Sequence, residues 1–172
     1  LVVLGIVAVL LGMLMPALGK ARLQSQRVKA SSDLRQLLLG YQQYTRENKD
    51  ALPFGYPPAT VNGAPVRAEL ADGSVVGAPT AQRYPWRLIR YVSNVWELLY
   101  AHDVVPEDDY LKGLAPAWGL NTVFLGGHDS PFFRGFVGDR PNYGAHGAFK
   151  STDVRLPTRV VVFADARRAN VP

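Results

Sequence analysis

The chain has 172 residues, 48% of them apolar and 19% charged, a balance that marks a globular protein and excludes a disordered one. It has no cysteine, which excludes disulfides, a thiol nucleophile and cysteine metal sites. A net charge of +5 favours acidic partners, nucleic acid and anionic lipid headgroups both among them.

Leu1 to Gly19 (LVVLGIVAVLLGMLMPALG) carries no charge. A helix over it would be roughly 28 Å long, near the hydrocarbon thickness of a bilayer. It has no polar stripe, unlike a helix on the surface of a globular domain, so it reads as a membrane helix over residues 1–19. The rival is a secretory signal peptide cleaved at Ala17-Leu18-Gly19, although the apolar run is longer than the usual signal core. Pro16 removes a backbone donor, which predicts a bend or local unwinding near Gly12 to Pro16. Gly5 and Gly12 leave room for a neighbouring helix, but seven residues separate them, not the four of the tight dimer motif.

The helical pattern continues over residues 20–50 and becomes amphipathic. Leu23, Ala30, Leu34, Leu37, Tyr41 and Tyr44 recur at spacings of seven, four, three, four and three, a stripe built to pack on a head domain. Lys20, Arg22, Arg27, Lys29 and Arg35 stand against Asp33, a surplus of four positive charges. Taken alone, the positive-inside tendency puts that side in the cytoplasm, and a basic leader upstream of Leu1 would reverse it. From Leu1 to Asn48 the helix would measure on the order of 70 Å.

Residues 51–172 read as one soluble, loop-rich head. Pro53, Pro57, Pro58, Pro65, Pro79 and Pro85, with Gly55, Gly63, Gly73 and Gly77 among them, predict a surface excursion over 52–85, with short strands near Val61–Leu70 and Ser74–Val76. Tyr84–Ala101 is apolar and aromatic, and Asn94 three residues before Glu97 predicts a capping box. Trp86, Tyr91, Trp96 and Tyr100 read as core in preference to a sugar- or partner-binding surface. Strands are expected at Asn121–Leu125, Pro131–Val137 and Arg159–Ala164, the last being the strongest.

The stretch from Leu1 to Pro53 resembles the N-terminal region of bacterial type IV pilin-like proteins, the prepilin-type cleavage and methylation family that includes the pseudopilins of type II secretion. The resemblance rests on the order of elements: the apolar run Leu1–Ala8, Pro16, then Ala17, Lys20, Ala21, Arg22, Asp33-Leu34-Arg35-Gln36 and a Tyr-rich helix end. The family's peptidase motif and its glutamate would lie before Leu1, so processing and N-methylation are implied by resemblance. NYGAHGAF at Asn142–Phe149 and PTRVVVFADARR at Pro157–Arg168 look like the sheet region of a subfamily that often ends in His-x9-Asp-Gly; that motif is absent.

The resemblance implies an α+β, pilin-like fold: a long N-terminal membrane-spanning and amphipathic helix packed on a small antiparallel sheet domain. Leu1, Val2, Val3, Leu4, Gly5, Ile6, Gly12 and Pro16 would make the membrane and assembly contacts. The implied protein is a structural subunit of a type II secretion or type IV pilus-like filament, held in the inner membrane with a periplasmic or extracellular head. Its implied partners are other pilin-like subunits, a prepilin peptidase and assembly machinery with a separate ATPase. The alternatives are a membrane-tethered binding domain that never polymerises and a cleaved secreted protein.

The residues give little chemistry. His102, His128 and His146 lack ligand spacing. Glu107, Asp108 and Asp109, with Asp103 nearby, lack the alternating ligands and turn glycine of a calcium loop, and read as a solvated turn in preference to a calcium site. No nucleophile elbow or phosphate loop is present. No enzyme and no cofactor are expected. The cations cluster beside the apolar run, which headgroups or acidic neighbours explain as well as nucleic acid does.

Overall fold

The computed structural model describes residues 2–61, 63–101, 104–114, 116–122, 124–126, 148 and 150–165. For residues 2, 4–11, 13 and 165 it describes the backbone alone. Helix α1 (Val2–Glu47) is 46 residues long, about 69 Å at 1.5 Å per residue. It runs without interruption through Pro16, so the unwinding expected near Gly12–Pro16 does not occur. A single proline removes one backbone hydrogen bond, and the strong helix formers beside it, Leu14, Met15, Ala17 and Leu18, carry the helix across.

The helix ends without glycine. Lys49 and Asp50 take left-handed φ values of 54° and 63°, and the Asp50 N–H donates to Thr45 O at 2.8 Å. Asn48 Nδ2 donates to the exposed Tyr44 carbonyl at 2.8 Å.

Among the described residues the strands form three separate two-stranded antiparallel ladders. β1 (Thr60–Val61) pairs with β2 (Ala64–Pro65), and β3 (Arg67–Glu69) with β4 (Val75–Gly77). Both lie where short strands were expected. β5 (Trp118–Leu120) pairs with β6 (Phe163–Asp165). The molecule is therefore α+β with a long N-terminal helix, as the sequence implies, but its sheet is broken into small pieces.

Two expected strands are displaced. In place of the strand expected at Asn121–Leu125, Thr122 and Phe124 lie in turns and Leu125 makes a lone bridge to Ala148, because Asn121 is spent holding the segment before β6. Its N–H reaches Val162 O and its Nδ2 reaches Val161 O, both at 2.8 Å. Arg159–Ala164 narrows to β6, since Pro157 starts a 3-10 turn over Pro157–Arg159. The expected strand Pro131–Val137 and most of Asn142–Phe149 lie outside the described residues.

Helix α2 (Tyr84–Leu88) opens on Pro85 in its first turn and passes into a 3-10 turn over Ile89–Val92. Ser93 and Asn94 then take φ values of 56° and 61°, which ends the turn. The expected capping box at Asn94 and Glu97 is absent: helix α3 (Glu97–Tyr100) starts after Trp96 with no side-chain cap. Asn94 Oδ1 instead accepts the Ala71 N–H at 3.2 Å. Three of the four aromatics belong to the core as expected, Trp96 half-buried against it, whereas Tyr91 is half-buried at its edge, where its ring meets Tyr44 at 5.6 Å. Trp86 and Tyr100 are buried, and the rings of Trp86 and Trp96 meet edge to face at 4.7 Å.

The 52–85 excursion is only partly on the surface. Leu52, Pro53, Gly55 and Pro57 are buried, and buried carbonyls need donors. Gln82 Nε2 supplies one to Pro57 O at 2.8 Å, while Arg87 Nη2 donates to Phe54 O and, at 3.2 Å, to Gly55 O. The core gathers on both sides of this clamp. Leu37 packs with Ile89, Val92, Leu99 and Trp118, and Tyr41 with Leu52, Leu88 and Leu125.

Candidate functional site

The two halves of α1 differ in what touches them. Every residue from Leu14 to Ser25 is exposed, and these include Met15 at 71%, Leu18 at 66% and Leu23 at 58% exposure. Leaving each such side chain in water forgoes about 1.5–3 kcal/mol of burial. Farther along, Ala30 and Leu34 are half-buried, Leu37 and Tyr41 are buried and Tyr44 is half-buried, as the stripe predicts. Leu23 is the exception. Among the described side chains of α1 the head reaches back only to Gln26, the first that is half-buried, so the packed stripe starts about a turn later than expected.

Three buried members of that stripe escape an apolar pattern. Asp33 is 5% exposed and Thr45 7%; the Thr45 hydroxyl returns to Gln42 O at 2.7 Å. Gly40 faces the Ile89–Val92 turn so closely that a Cβ there would sit 2.9 Å from Val92 Cγ1. Each lies on the Leu37–Tyr41 side of the wheel, a signal that position gives and residue type hides.

Of the residues assigned to membrane and assembly contacts, Val3, Gly12 and Pro16 are exposed, and no atom lies within 4 Å of a Cβ built at Gly12. Leu1 lies outside the described residues, as do the side chains of Val2, Leu4, Gly5 and Ile6. Among the described residues no helix is long and apolar enough to cross a membrane.

Lys20, Arg22, Arg27, Lys29 and Arg35 are all exposed. The ion pairs among the described residues are Arg90–Glu69 and Lys112–Asp109, both at 2.8 Å and both away from α1. The acidic cluster serves helix α4 (Asp109–Leu114). Asp108 Oδ1 accepts the Leu111 N–H at 2.9 Å, and Asp109 pairs with Lys112. Among the described residues no three potential ligands gather; Asp103 and the three histidines lie outside them.

Burial shapes the titration of the head. It raises the phenols of Tyr41 and Tyr84 well above their ordinary value and pushes Tyr100 up to about 12. The Tyr84 hydroxyl donates to Trp118 O. Burial also lowers the Arg87 guanidinium to about 10. A groove of about 890 Å³ lies beside Asn121, with exposed Phe124, Leu156 and Val161 and the cations Arg155 and Arg159 on its walls. Among the described residues its one carboxylate is Asp153, which accepts the Lys150 N–H at 3.0 Å. No protein-family model, curated protein or solved structure matches the chain.

Proposed function

We propose that the chain is a pilin-like subunit, a pseudopilin, stored in the inner membrane by the apolar first half of α1 and assembled through that half into a type II secretion or type IV pilus-like filament. The head projects into the periplasm or beyond. The observation that carries this reading is the division of α1: one unbroken helix, anchored in the head along its second half, with an apolar first half whose described side chains, Val3, Gly12 and Leu14 to Ser25, are all exposed. Lipid tails and the helices of other copies are both apolar, so moving this half from one to the other gains little by burial alone. Lifting the subunit out therefore falls to separate machinery with its own ATPase, and the subunit needs no catalytic group. A prepilin peptidase and N-methylation upstream of Leu1 belong to the same reading.

The test is mass spectrometry of the mature N-terminus of the native full-length protein, from membrane and sheared-surface fractions. An N-methylated residue a few positions before Leu1, present in the sheared fraction, is expected. An unprocessed start confined to membranes overturns the filament and leaves a permanent tether. A start at Lys20 overturns both, because the apolar run is then a signal peptide.

A further inference from the structure

We infer that the cations following the apolar run form a collar that selects anionic phospholipid headgroups; the inference rests on the membrane anchoring proposed above and names the lipid it prefers. The collar is Lys20, Arg22, Arg27 and Lys29, with Arg35 beyond it, all exposed. None is engaged by a carboxylate among the described residues. The one acid inside this stretch, Asp33, is buried at 5% exposure, so its carboxylate is not on the surface that the cations present.

The arrangement of the four distinguishes among partners. At 3.6 residues per turn, Lys20 and Arg27 fall within about 20° of each other, and Arg22 and Lys29 form a second file roughly 160° away. A helix lying flat on a bilayer collects its cations on one face and its apolar residues on the other. A helix tracking a nucleic acid backbone likewise presents one basic stripe. Here the cations stand on opposite sides and the apolar residues precede them along the axis. That suits a helix passing through the headgroup layer, with lipid phosphates around its circumference. Lys20 to Lys29 spans roughly 14 Å of axis, and the long Lys and Arg stems let the heads of the four converge on one interface.

The experiment reconstitutes the full chain in vesicles containing spin-labelled phosphatidylglycerol or phosphatidylcholine at equal mole fraction, and measures the lipid motionally restricted by the protein. Near-surface cations favour an anionic lipid by about fivefold each. Shared over a shell of several lipids, this predicts a phosphatidylglycerol preference of about three- to fivefold, falling toward unity in 0.5 M salt. The quadruple variant Lys20→Gln, Arg22→Gln, Arg27→Gln and Lys29→Gln is expected to lose the preference. The charge-preserving set Lys20→Arg, Arg22→Lys, Arg27→Lys and Lys29→Arg is expected to keep it.

A restricted component of equal size for both lipids overturns the collar and leaves the anchoring intact. Absence of any restricted component overturns the anchoring itself. A labelled 20-base-pair DNA duplex bound by the detergent-solubilised wild type and released by the glutamine variant, with no lipid preference, overturns the collar in favour of nucleic acid.

Discussion

Gly40→Ala tests whether the head sits on α1 as closely as the fold requires. Gly40 is buried in the packed stripe, and its missing side chain admits the Ile89–Val92 turn. An added Cβ would stand 2.9 Å from Val92 Cγ1 and 3.4 Å from both Tyr91 Cβ and Tyr91 O. Carbon atoms ordinarily rest about 3.5–4.0 Å apart, so α1 and the turn must separate by about half an ångström or more. Val92 is itself buried and the carbonyl beside it is backbone, which leaves little to yield. Overpacking of this kind costs about 1–3 kcal/mol, whereas alanine gains about 1 kcal/mol over glycine in a helix interior. The net expectation is a loss of about 1 kcal/mol for Gly40→Ala and at least about 3 kcal/mol for Gly40→Val, which adds two methyls to the same gap. Urea denaturation in micelles, followed by head tryptophan fluorescence, reads both. Gly19→Ala, with open space around it, should leave the midpoint unchanged. If Gly40→Ala stabilised the head by the full propensity gain, the close crossing of α1 over the turn would be refuted.

Gly126 combines a φ of +74° with a Cβ position 2.2 Å from Pro53 O, so Gly126→Ala should cost about 3 kcal/mol or more, seen as a lowered thermal midpoint and rapid proteolysis. Lys49→Gly should stabilise by up to about 1 kcal/mol in the same denaturation assay, because Lys49 holds φ 54° and is exposed. Above pH 10 stability should fall: unfolded phenols ionise near 10 while Tyr41, Tyr84 and Tyr100 keep their protons when folded, so the folded state binds more protons and loses ground as pH rises. Arg87, lowered to about 10, acts oppositely. The net slope is at most about 2.7 kcal/mol per pH unit, two net protons at about 1.36 kcal/mol each, to be read from urea midpoints at pH 10 to 11.5, and three phenols ionising at pH 10 without unfolding, by absorbance at 295 nm, would contradict it.

The helix was legible because its causes are local: an apolar run, then apolar residues every three or four positions, over a stretch that breaks only at Asn48. The ladder of β5 and β6 was not, because its strands lie more than forty residues apart and their register is set by Asn121 gripping Val161 and Val162. Nothing near Asn121 in the sequence names those partners. The burial of Leu52–Pro57 was hidden for the same reason. Prolines and glycines read as a surface loop until Gln82 and Arg87, some thirty residues on, supply the donors that let its carbonyls leave water. The cations of α1 could be counted from the sequence, but it does not tell that none of them pairs with a carboxylate among the described residues, nor that Asp33 beside them turns inward and is buried.

That inward turn also sets how the helix is aimed. Leu34, Leu37, Tyr41 and Tyr44 centre the packed stripe, and the two cation files fall roughly 70–90° to either side of it. Rotating α1 by one residue's step of about 100° would carry Arg27 or Lys29, the collar members level with the head, under it and replace Gly40 at the crossing by a bulkier neighbour, Leu39 or Tyr41. The close contact at Gly40 therefore does more than pack two elements. It fixes the rotation at which neither Arg27 nor Lys29 is shadowed by the head, so loosening it should reduce anionic-lipid selectivity in part as well as stability. Gly40→Val, reconstituted in the spin-label assay, is expected to show both losses. A full phosphatidylglycerol preference in a head that unfolds early would show instead that the collar needs only the helix, and that the head's grip contributes nothing to its aim.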